Sequence, residues 1–542
     1  MAYYRIALVG HARFQAGDAA AQTYLELKAL GHGVELLDPA VVPSIFDAEG
    51  NLDRAAAAPF LETFDPACVA CAHDPVEDIL AACERSGKGQ DEPVRHVVVF
   101  GYIGPDNFGD ELIFSLIAAD VRKRYPGSYV SAIGHVPDRT IVRHGVASVT
   151  PPMKAELFAQ LAGASALVFM AGIMFDEPFK DWTSGPIDLY LNPHSEIAGQ
   201  TACCLMAYQQ GVPAVFLGVG AGPLANADAC KLVEMASLTK PLYLPRDRHT
   251  AQLLENAGVD RSLIQVKADL AFSIERPERC EAWERWKEES GLADAPFLSA
   301  SFRDHHTCGE GLADAMAALF DHAFETKGWR TVFLDFAPED HAVHERIAGR
   351  MRHAEEALFF GMTDDFDSTV AALSQAQASV AMRLHCSIVS NALGIPSIGI
   401  DYNDKVEALY DAMDARAFLL EPDCSARRAT ATFDALMQDD AAAKRVRTRA
   451  AALREQALDA FETFFETIDA ADVPRASTRL YVRDVSVAQQ ELERERERCA
   501  HLETELAAAR ARAEELVASP TWKAGRAIGA LPRAIKRIVG KA

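Results

Sequence analysis

The chain has 542 residues, 49% of them hydrophobic and 24% charged, the make-up of a globular protein with room for roughly three or four domain-sized units. A formal net charge of −24 argues against general nucleic-acid binding, which needs a basic face for the phosphate backbone. No apolar run reaches the about 18 residues that a membrane span needs, and "MAYYRIALVGH" is too short and polar for a secretory leader. The odd cysteine count of 11 fits a reducing, cytoplasmic setting.

In chain order, "YRIALVGHA", "AAAQTYLELKALGHG" and "VELLDP" read as strand, helix ending at Gly31 or Gly33, and strand. This predicts an extra N-terminal βαβ unit over residues 1–91, its role unassigned. "CVAC" (Cys68–Cys71) has metal or redox spacing, but no second pair follows, and it reads as small apolar filler. After the polar linker "SGKGQDEP", the strand "RHVVVFGYIG" and helix "DELIFSLIAADVRKRY" open a domain over 92–285. "ALVFMAGIMF", "PAVFLGVGAGP", "PLYLPRD" and "IQVKADLAF" continue its strands. The charged stretch "ERPERCEAWERWKEESG" separates it from a third series over 286–472: "FLSASFRD", "RTVFLDFAP", "ALFFGM", "ASVAMRLH" and "PSIGIDY". Strands that are apolar throughout and alternate with helices predict parallel sheets covered on both faces. In such sheets ligands sit beyond the carboxyl ends of the strands, so the residues just after each strand carry the chemistry.

Beyond 472, Val485, Leu492, Cys499, Leu506 and Ala513 recur every seven residues, with Leu502, Ala509 and Leu516 in the second seam position. Residues 473–518 therefore read as a short coiled coil, a route to oligomers, or as a long solvated helix. Residues 519–542 interleave Lys523, Arg526, Arg533, Lys536, Arg537 and Lys541 with Trp522, Ile528, Leu531, Ile535, Ile538 and Val539. On an acidic chain, that basic amphipathic tail suggests peripheral contact with an anionic membrane surface, although Pro532 breaks a continuous helix.

Three stretches put chemistry at strand ends. In "VVVFGYIGPDNFGDELIF", Gly101, Gly104 and Gly109 fall between strand and helix, where backbone can approach a ligand. The loop lacks GxGxxG and the lysine of GxxxxGK[ST], so it is poor for phosphate. Asn107, Asp110 and Glu111 suit sugar hydroxyls better, and acids there also serve as caps. In "LYLPRDRHTAQLLENAG", Arg246 faces the crevice and Asp247 caps, and "SASFRDHH" leaves Arg303 at a strand end. "ASVAMRLHCSIVSNALGIPSIGIDY" is the most specific: Arg383 and His385 follow a buried strand, where an arginine is costly without an anion. Arginine offers a fork for carboxylate or phosphate, and histidine exchanges a proton near neutral pH.

Together these stretches resemble the polysaccharide pyruvyl transferase family. "GYIGPDNFGDELI" is similar to its GNxGDExI opening, "LPRDRHTAQLLENAGVD" to RDxxSxxxLxxxGV, "KADLAF" to xxDPAF, and "MRLHCSIVSNALGIPSIGIDYNDKV" to RLHxxIxAxxxGxPxxxIxYxxKV, in family order. Where that family shows GGGxxxxD, this chain has "FMAGIMFDEPFKDW", keeping Gly172 and offering Asp176 for the acid. The resemblance implies two Rossmann-like domains facing each other in a GT-B-like α/β fold. It also implies phosphoenolpyruvate as co-substrate, a glycan or lipid-linked glycan acceptor, and a ketal product. Carried over by position, Arg246, Arg383, Leu384 and His385 bind the donor, joined by Arg303 at its strand end. Asp110 faces the acceptor beside Asn107, Glu111 and Asp176. His385 then acts as general acid, Asp110 as its partner at the hydroxyl, and the scheme needs no metal or cofactor.

Two other readings fit parts of this pattern. A GT-B-type glycosyltransferase using a nucleotide sugar would share the fold, but no segment for the nucleotide ribose can be named. A non-catalytic scaffold of a glycan-assembly complex, joined through the coiled coil, would bind no donor at all.

Overall fold

The computed structural model describes residues 2–471 apart from 13, 15–17, 151–153, 174–195, 223, 225, 307 and 363–364. Asp176, the heptads of 473–518 and the basic tail of 519–542 lie outside the described residues.

The N-terminal unit is a three-stranded parallel sheet in the order β2-β1-β3, from β1 (Arg5–Val9), β2 (Gly33–Leu37) and β3 (Cys68–Cys71). Its first helix, Ala19–Ala29, starts because the Asp18 carboxylate accepts the N–H groups of Ala20 and Ala21. It stops at Gly31, whose φ of +91° reverses the chain into β2. Phe60 and Phe64 pack against Tyr129 and Ile141 of the following domain, so the unit shares a core with it. Cys68 turns inward to lie 3.1 Å from Cys83 Sγ, and Cys71 is exposed on the edge strand.

Next come two α/β domains of the same topology. In the first, β4 (His96–Phe100), β5 (Tyr129–Ile133), β6 (Ser148–Val149), β7 (Ala166–Ile173), β8 (Ala214–Ala221) and β9 (Leu242–Pro245) pair in the order β6-β5-β4-β7-β8-β9, all parallel. In the second, β10 (Phe297–Ser301), β11 (Arg330–Leu334), β12 (Ala357–Phe360), β13 (Ala378–Ala381), β14 (Ser397–Ile400) and β15 (Leu419–Leu420) pair as β12-β11-β10-β13-β14-β15. Each domain thus has the doubly wound order, with the direction of winding reversing beside its first strand, β4 or β10. The fully buried residues of β4, β5 and β10 match the uninterrupted apolar runs read from sequence. Two Rossmann-like domains face each other, so the fold is GT-B-like.

One predicted strand is different. "IQVKADLAF" makes only a single bridge, Ile264 to Tyr243, and then forms a 3₁₀ helix over Leu270–Ser273. Asp269 accepts the N–H of Ala271 at 3.0 Å and caps that turn, so a local side-chain bond replaces the ladder.

Two elements tie the domains together. Phe108, the first residue of the helix after β4, inserts into the core of the second domain against Phe336, and its N–H donates to the Phe336 carbonyl at 2.8 Å. The helix Asp440–Ala470 packs Val446, Ala450 and Ala457 on the second domain. It then runs on to bury Ala460, Phe461, Phe464, Phe465 and Ile468 in the first. Among the described residues no helix is long and apolar enough to cross a membrane.

Candidate active site

The carboxyl ends of both sheets open on one cavity of about 520 Å³. Tyr102 and Asn107 reach it from the loop after β4, Asp110 from the first turn of the following helix, Gly172 from the end of β7, and Arg246 from the end of β9. The second domain contributes Arg303 after β10, Glu339 after β11, Arg383, Leu384 and His385 after β13, and Tyr402 and Lys405 after β14.

The loop after β4 is set by its own polar groups. Asn107 is the N-cap of helix Phe108–Arg124, its side chain accepting the Gly109 N–H at 3.2 Å. Gly104 has φ +100° and lies so close to Val136 that a Cβ would meet its carbonyl oxygen at 2.7 Å. Its N–H donates at 2.7 Å to Glu111 Oε1, while His144 Nε2 lies 2.7 Å from Glu111 Oε2. Arg143 binds Asp106 at 2.6 Å. Glu111 is fully buried behind the loop and does not line the cavity. The acceptor contact expected of it from sequence is therefore replaced by a positioning role: its two oxygens fix the turn that presents Asp110.

His385 crosses from the second domain to lie on that turn. A Cβ at Gly109 would stand 1.8 Å from His385 Nδ1, so only glycine leaves room for the imidazole there. On its other side, His385 Nε2 is 3.7 Å from Asp269 Oδ2, and Arg246 Nη1 donates to the same oxygen at 3.1 Å. Burial alone would raise the Asp269 carboxyl. The imidazole of His385 beside it and the charge of Arg246 outweigh that effect and hold the group below its ordinary range. Arg246 is itself pressed against Gly220, where a Cβ would meet the guanidinium at 2.6 Å.

Arg383 is buried, and its charge is matched within the protein. Nε donates to Asp340 Oδ2 at 2.9 Å, and Nη2 binds Asp340 and Glu339. Asp340 in turn accepts the N–H groups of Phe336 and Ala337, both at 3.1 Å. Arg383 is thereby locked in place, with Nη1 left for a ligand. Leu384 and His385 follow in the first turn of helix Leu384–Ala392, where backbone N–H groups have no intrahelical acceptor. Arg303 has a buried Nε with no hydrogen-bond partner among the described residues, and its guanidinium lies 6.0 Å from the Tyr402 ring. Lys405 Nζ is 5.7 Å from the same ring. A partnerless buried donor beside a lysine and a helix N-terminus is a seat for an anion.

Across the cavity, burial pushes the Asp110 carboxyl up to about 6, with His385, Lys405 and Arg246 opposing the rise and Glu111 adding to it. A carboxyl titrating there can accept and return a proton near neutral pH. One wall thus gathers cations and the opposite wall a proton-accepting carboxyl, with the imidazole between them.

Of the residues singled out from sequence, Asn107, Asp110, Arg246, Arg303, Arg383, Leu384 and His385 meet at this cavity. Asp247 caps its helix, accepting the Thr250 N–H at 2.6 Å. Gly172 also reaches the cavity, just past a break in register where Ala171 takes φ +61°. Sequence reading passed over Lys405, Tyr402 and Asp269. Lys405 and Tyr402 stand in "DYNDKV", just beyond β14, and the strand-end rule applied to that strand would have found them.

Several solved structures are similar in shape. Alr3699/HepE of Anabaena in complex with UDP is 12% identical, covering 70% of this chain and 100% of that one with a TM-score of 0.46. The S. aureus MnaA–UDP structure is 8% identical, covering 70% and 99% with a TM-score of 0.47. UDP-GlcNAc 2-epimerase from Neisseria meningitidis bound to UDP-GlcNAc is 10% identical, covering 69% and 100% with a TM-score of 0.47. No curated protein matches the chain in sequence. Residues 107–404 match the sequence profile described as Polysaccharide pyruvyl transferase. That span runs from the Asn107 cap through Arg246, Asp269, Arg303, Arg383 and His385 and is more than half of the chain, which therefore belongs to the polysaccharide pyruvyl transferase family.

Proposed function

We propose that this protein transfers the pyruvyl group of phosphoenolpyruvate to two hydroxyls of a sugar in a glycan or glycan precursor, forming a ketal and releasing phosphate. The observation that carries the reading is the meeting of His385 with the Gly109–Asp110 turn inside a cavity that also holds Arg246, Arg303, Arg383 and Lys405. Phosphoenolpyruvate bears a carboxylate and a phosphate on one small carbon frame, and a cavity with separate cationic contacts suits both.

The residues then have distinct tasks. Arg303, Lys405 and the first-turn amides at Leu384 and His385 hold the donor's two anionic groups. His385 protonates the methylene carbon, which becomes the methyl group, and positive charge develops on the adjacent carbon. A first sugar hydroxyl attacks that carbon, and Asp110 takes its proton. The carbon–oxygen bond to phosphate breaks, with Arg383 Nη1 stabilising the departing anion. A second hydroxyl closes the ketal. Asp110 passes the first hydroxyl's proton to the departing phosphate, and the proton of the second hydroxyl restores His385. Asp269 acts as a positioning residue, holding His385 and Arg246 from behind.

The test is phosphate release from phosphoenolpyruvate, measured with and without glycan acceptor. Release is expected only when acceptor is present. His385→Ala should lower it by at least about 1000-fold, combining loss of the proton donor with misplacement of the donor. Substantial acceptor-dependent release from that variant, with its fold intact by circular dichroism, would remove His385 from the reaction.

A further inference from the structure

A second cavity, of about 590 Å³, lies on the other side of Arg246, which lines both. Arg248 and His249 enter it from the start of helix Arg248–Asn256, Lys267 from the segment after β9, and Arg449 from helix Asp440–Ala470. Its acids are already engaged. Asp247 caps Thr250, and both Asp411 oxygens are bound by Arg416, at 2.6 and 3.0 Å. Two of its cations are engaged as well: Lys267 by Asp459 and Thr463, and Arg246 by Asp269. Arg248, His249 and Arg449 make no hydrogen bond or ion pair among the described residues. On a chain of net charge −24, unpaired basic side chains gathered in one cavity repel one another unless an anion joins them. Arginine forks and the start of a helix are shaped for phosphate.

We propose that this second cavity binds a phosphate or diphosphate group at the reducing end of the acceptor sugar. The donor's anionic groups have their own contacts in the first cavity, at Arg303, Arg383 and Lys405. Arg246 lines both cavities, so the second is the neighbouring seat for a charged substituent of a sugar held at Asp110 and His385. Assigning the phosphate to the acceptor rests on the transfer reading above; the anion site itself rests only on the second cavity. A nucleoside diphosphate sugar and a prenyl diphosphate sugar present the same chemistry, and the experiment separates them.

Arg248 and Arg449 are exposed, so Arg248→Glu and Arg449→Glu in the full chain should fold normally. Each should weaken inorganic pyrophosphate binding, measured calorimetrically, by about tenfold or more, the loss expected for one charge-assisted contact. Arg303→Ala, in the first cavity, should leave a pyrophosphate site intact. Phosphate release is then measured with one sugar in three forms: nucleoside diphosphate-linked, prenyl diphosphate-linked and as a neutral methyl glycoside. The two charge reversals should raise KM about tenfold for the diphosphate form that is used, with kcat and the KM of the methyl glycoside unchanged. The form that responds identifies the source of the phosphate. Equal effects on charged and neutral acceptors, or pyrophosphate binding that ignores both reversals, would overturn the proposal. If no acceptor turns over while both reversals still weaken pyrophosphate binding, the transfer reading fails and the anion site stands.

Discussion

Gly109 decides where His385 can stand. With Nδ1 only 1.8 Å from the place a Cβ would occupy, Gly109→Ala must displace the imidazole away from Asp110. Turnover should fall by about 100-fold or more, since misplacing a catalytic group by about an ångström has that effect. The fold should lose only about 1–3 kcal/mol, the usual range for overpacking one methyl group. A melting curve and a turnover assay on the same sample check both halves, and unchanged turnover would show that the contact is incidental. Asp110 carries a second prediction. Its carboxyl is raised from 3.8 to about 6 on folding, so the folded state binds the proton more tightly than the unfolded chain. Its contribution therefore turns destabilising as pH rises from about 4 to about 6 and stays so above that. Asp110→Asn should raise Tm at pH 8 more than at pH 5: the two-unit shift is worth up to about 3 kcal/mol of stability at pH 8 and roughly half of that at pH 5. The same substitution should abolish an activity limb that climbs through pH 6. A Tm gain that is the same at both pH values would contradict the raised carboxyl. At this scale much of the site was legible in the sequence. Arg246, Arg303, Arg383 and His385 each follow an apolar run directly, and charge at the end of a buried strand needs a reason. Glu111 shows the limit: it is a carboxylate beside Asp110 in the same helical turn, yet faces the Gly104 amide and His144. One step along a helix rotates a side chain by about 100°, and what it then meets depends on elements far away in sequence.

The elements that place these residues are short capped turns at strand ends. Asn107, Asp247 and Asp269 each accept a backbone N–H two or three residues ahead, and each stands within a few residues of a cavity-lining group. The cap after the linker to Leu270 explains why "IQVKADLAF" reads as a strand and is not one. Its apolar pattern is real, since Leu270, Ala271 and Phe272 are buried, but burial does not require a ladder. The loop after β4 does more than carry Asp110: Phe108, almost fully buried, is a first-domain residue in the second domain's core, its ring 4.5 Å from that of Phe336. Phe108→Ala should cost about 3–5 kcal/mol, the range for emptying a phenylalanine site in a core. It should also loosen the junction at which His385 meets Gly109. The expected signature is a raised KM for phosphoenolpyruvate together with a lowered kcat, because both walls of the cavity lose their register. A variant that melts earlier but keeps both constants would show that Phe108 is only filler. Nothing in the sequence around Phe108 marks it as crossing between domains: an aromatic at the start of an amphipathic helix ordinarily packs on its own sheet.

At the scale of the whole molecule, the paired α/β domains follow from alternation of apolar strands with helices, which local pattern records well. The return of the last described helix does not, because it depends on where a helix goes after the second sheet is complete. Helix Asp440–Ala470 divides its apolar face between two cores, Val446, Ala450 and Ala457 in the second domain and Phe461, Phe464 and Phe465 in the first. Polar contacts fasten the same helix along residues 124–274. Arg454 donates to the carbonyls of Ser273 and Ile274 at 2.8 Å, Lys267 pairs with Asp459, and Asp469 receives Arg124 at 2.9 Å and the Tyr125 hydroxyl at 3.0 Å. An element rooted in two cores couples their unfolding, since neither domain can melt without exposing part of it. The protein described by residues 2–471 should therefore unfold by calorimetry in one dominant transition. Phe464 is fully buried in the first domain, and Phe464→Ala should remove about 3–5 kcal/mol from that core alone. If the helix is the coupling element, the variant should melt in two steps, the first domain ahead of the second. On the proposed reading phosphoenolpyruvate should shift only the later step, because the cavity residues assigned to it, Arg303, Arg383, His385 and Lys405, belong to the second domain. A single transition moved bodily to lower temperature would instead place the coupling in the Phe108 junction, since that contact is left intact by the substitution.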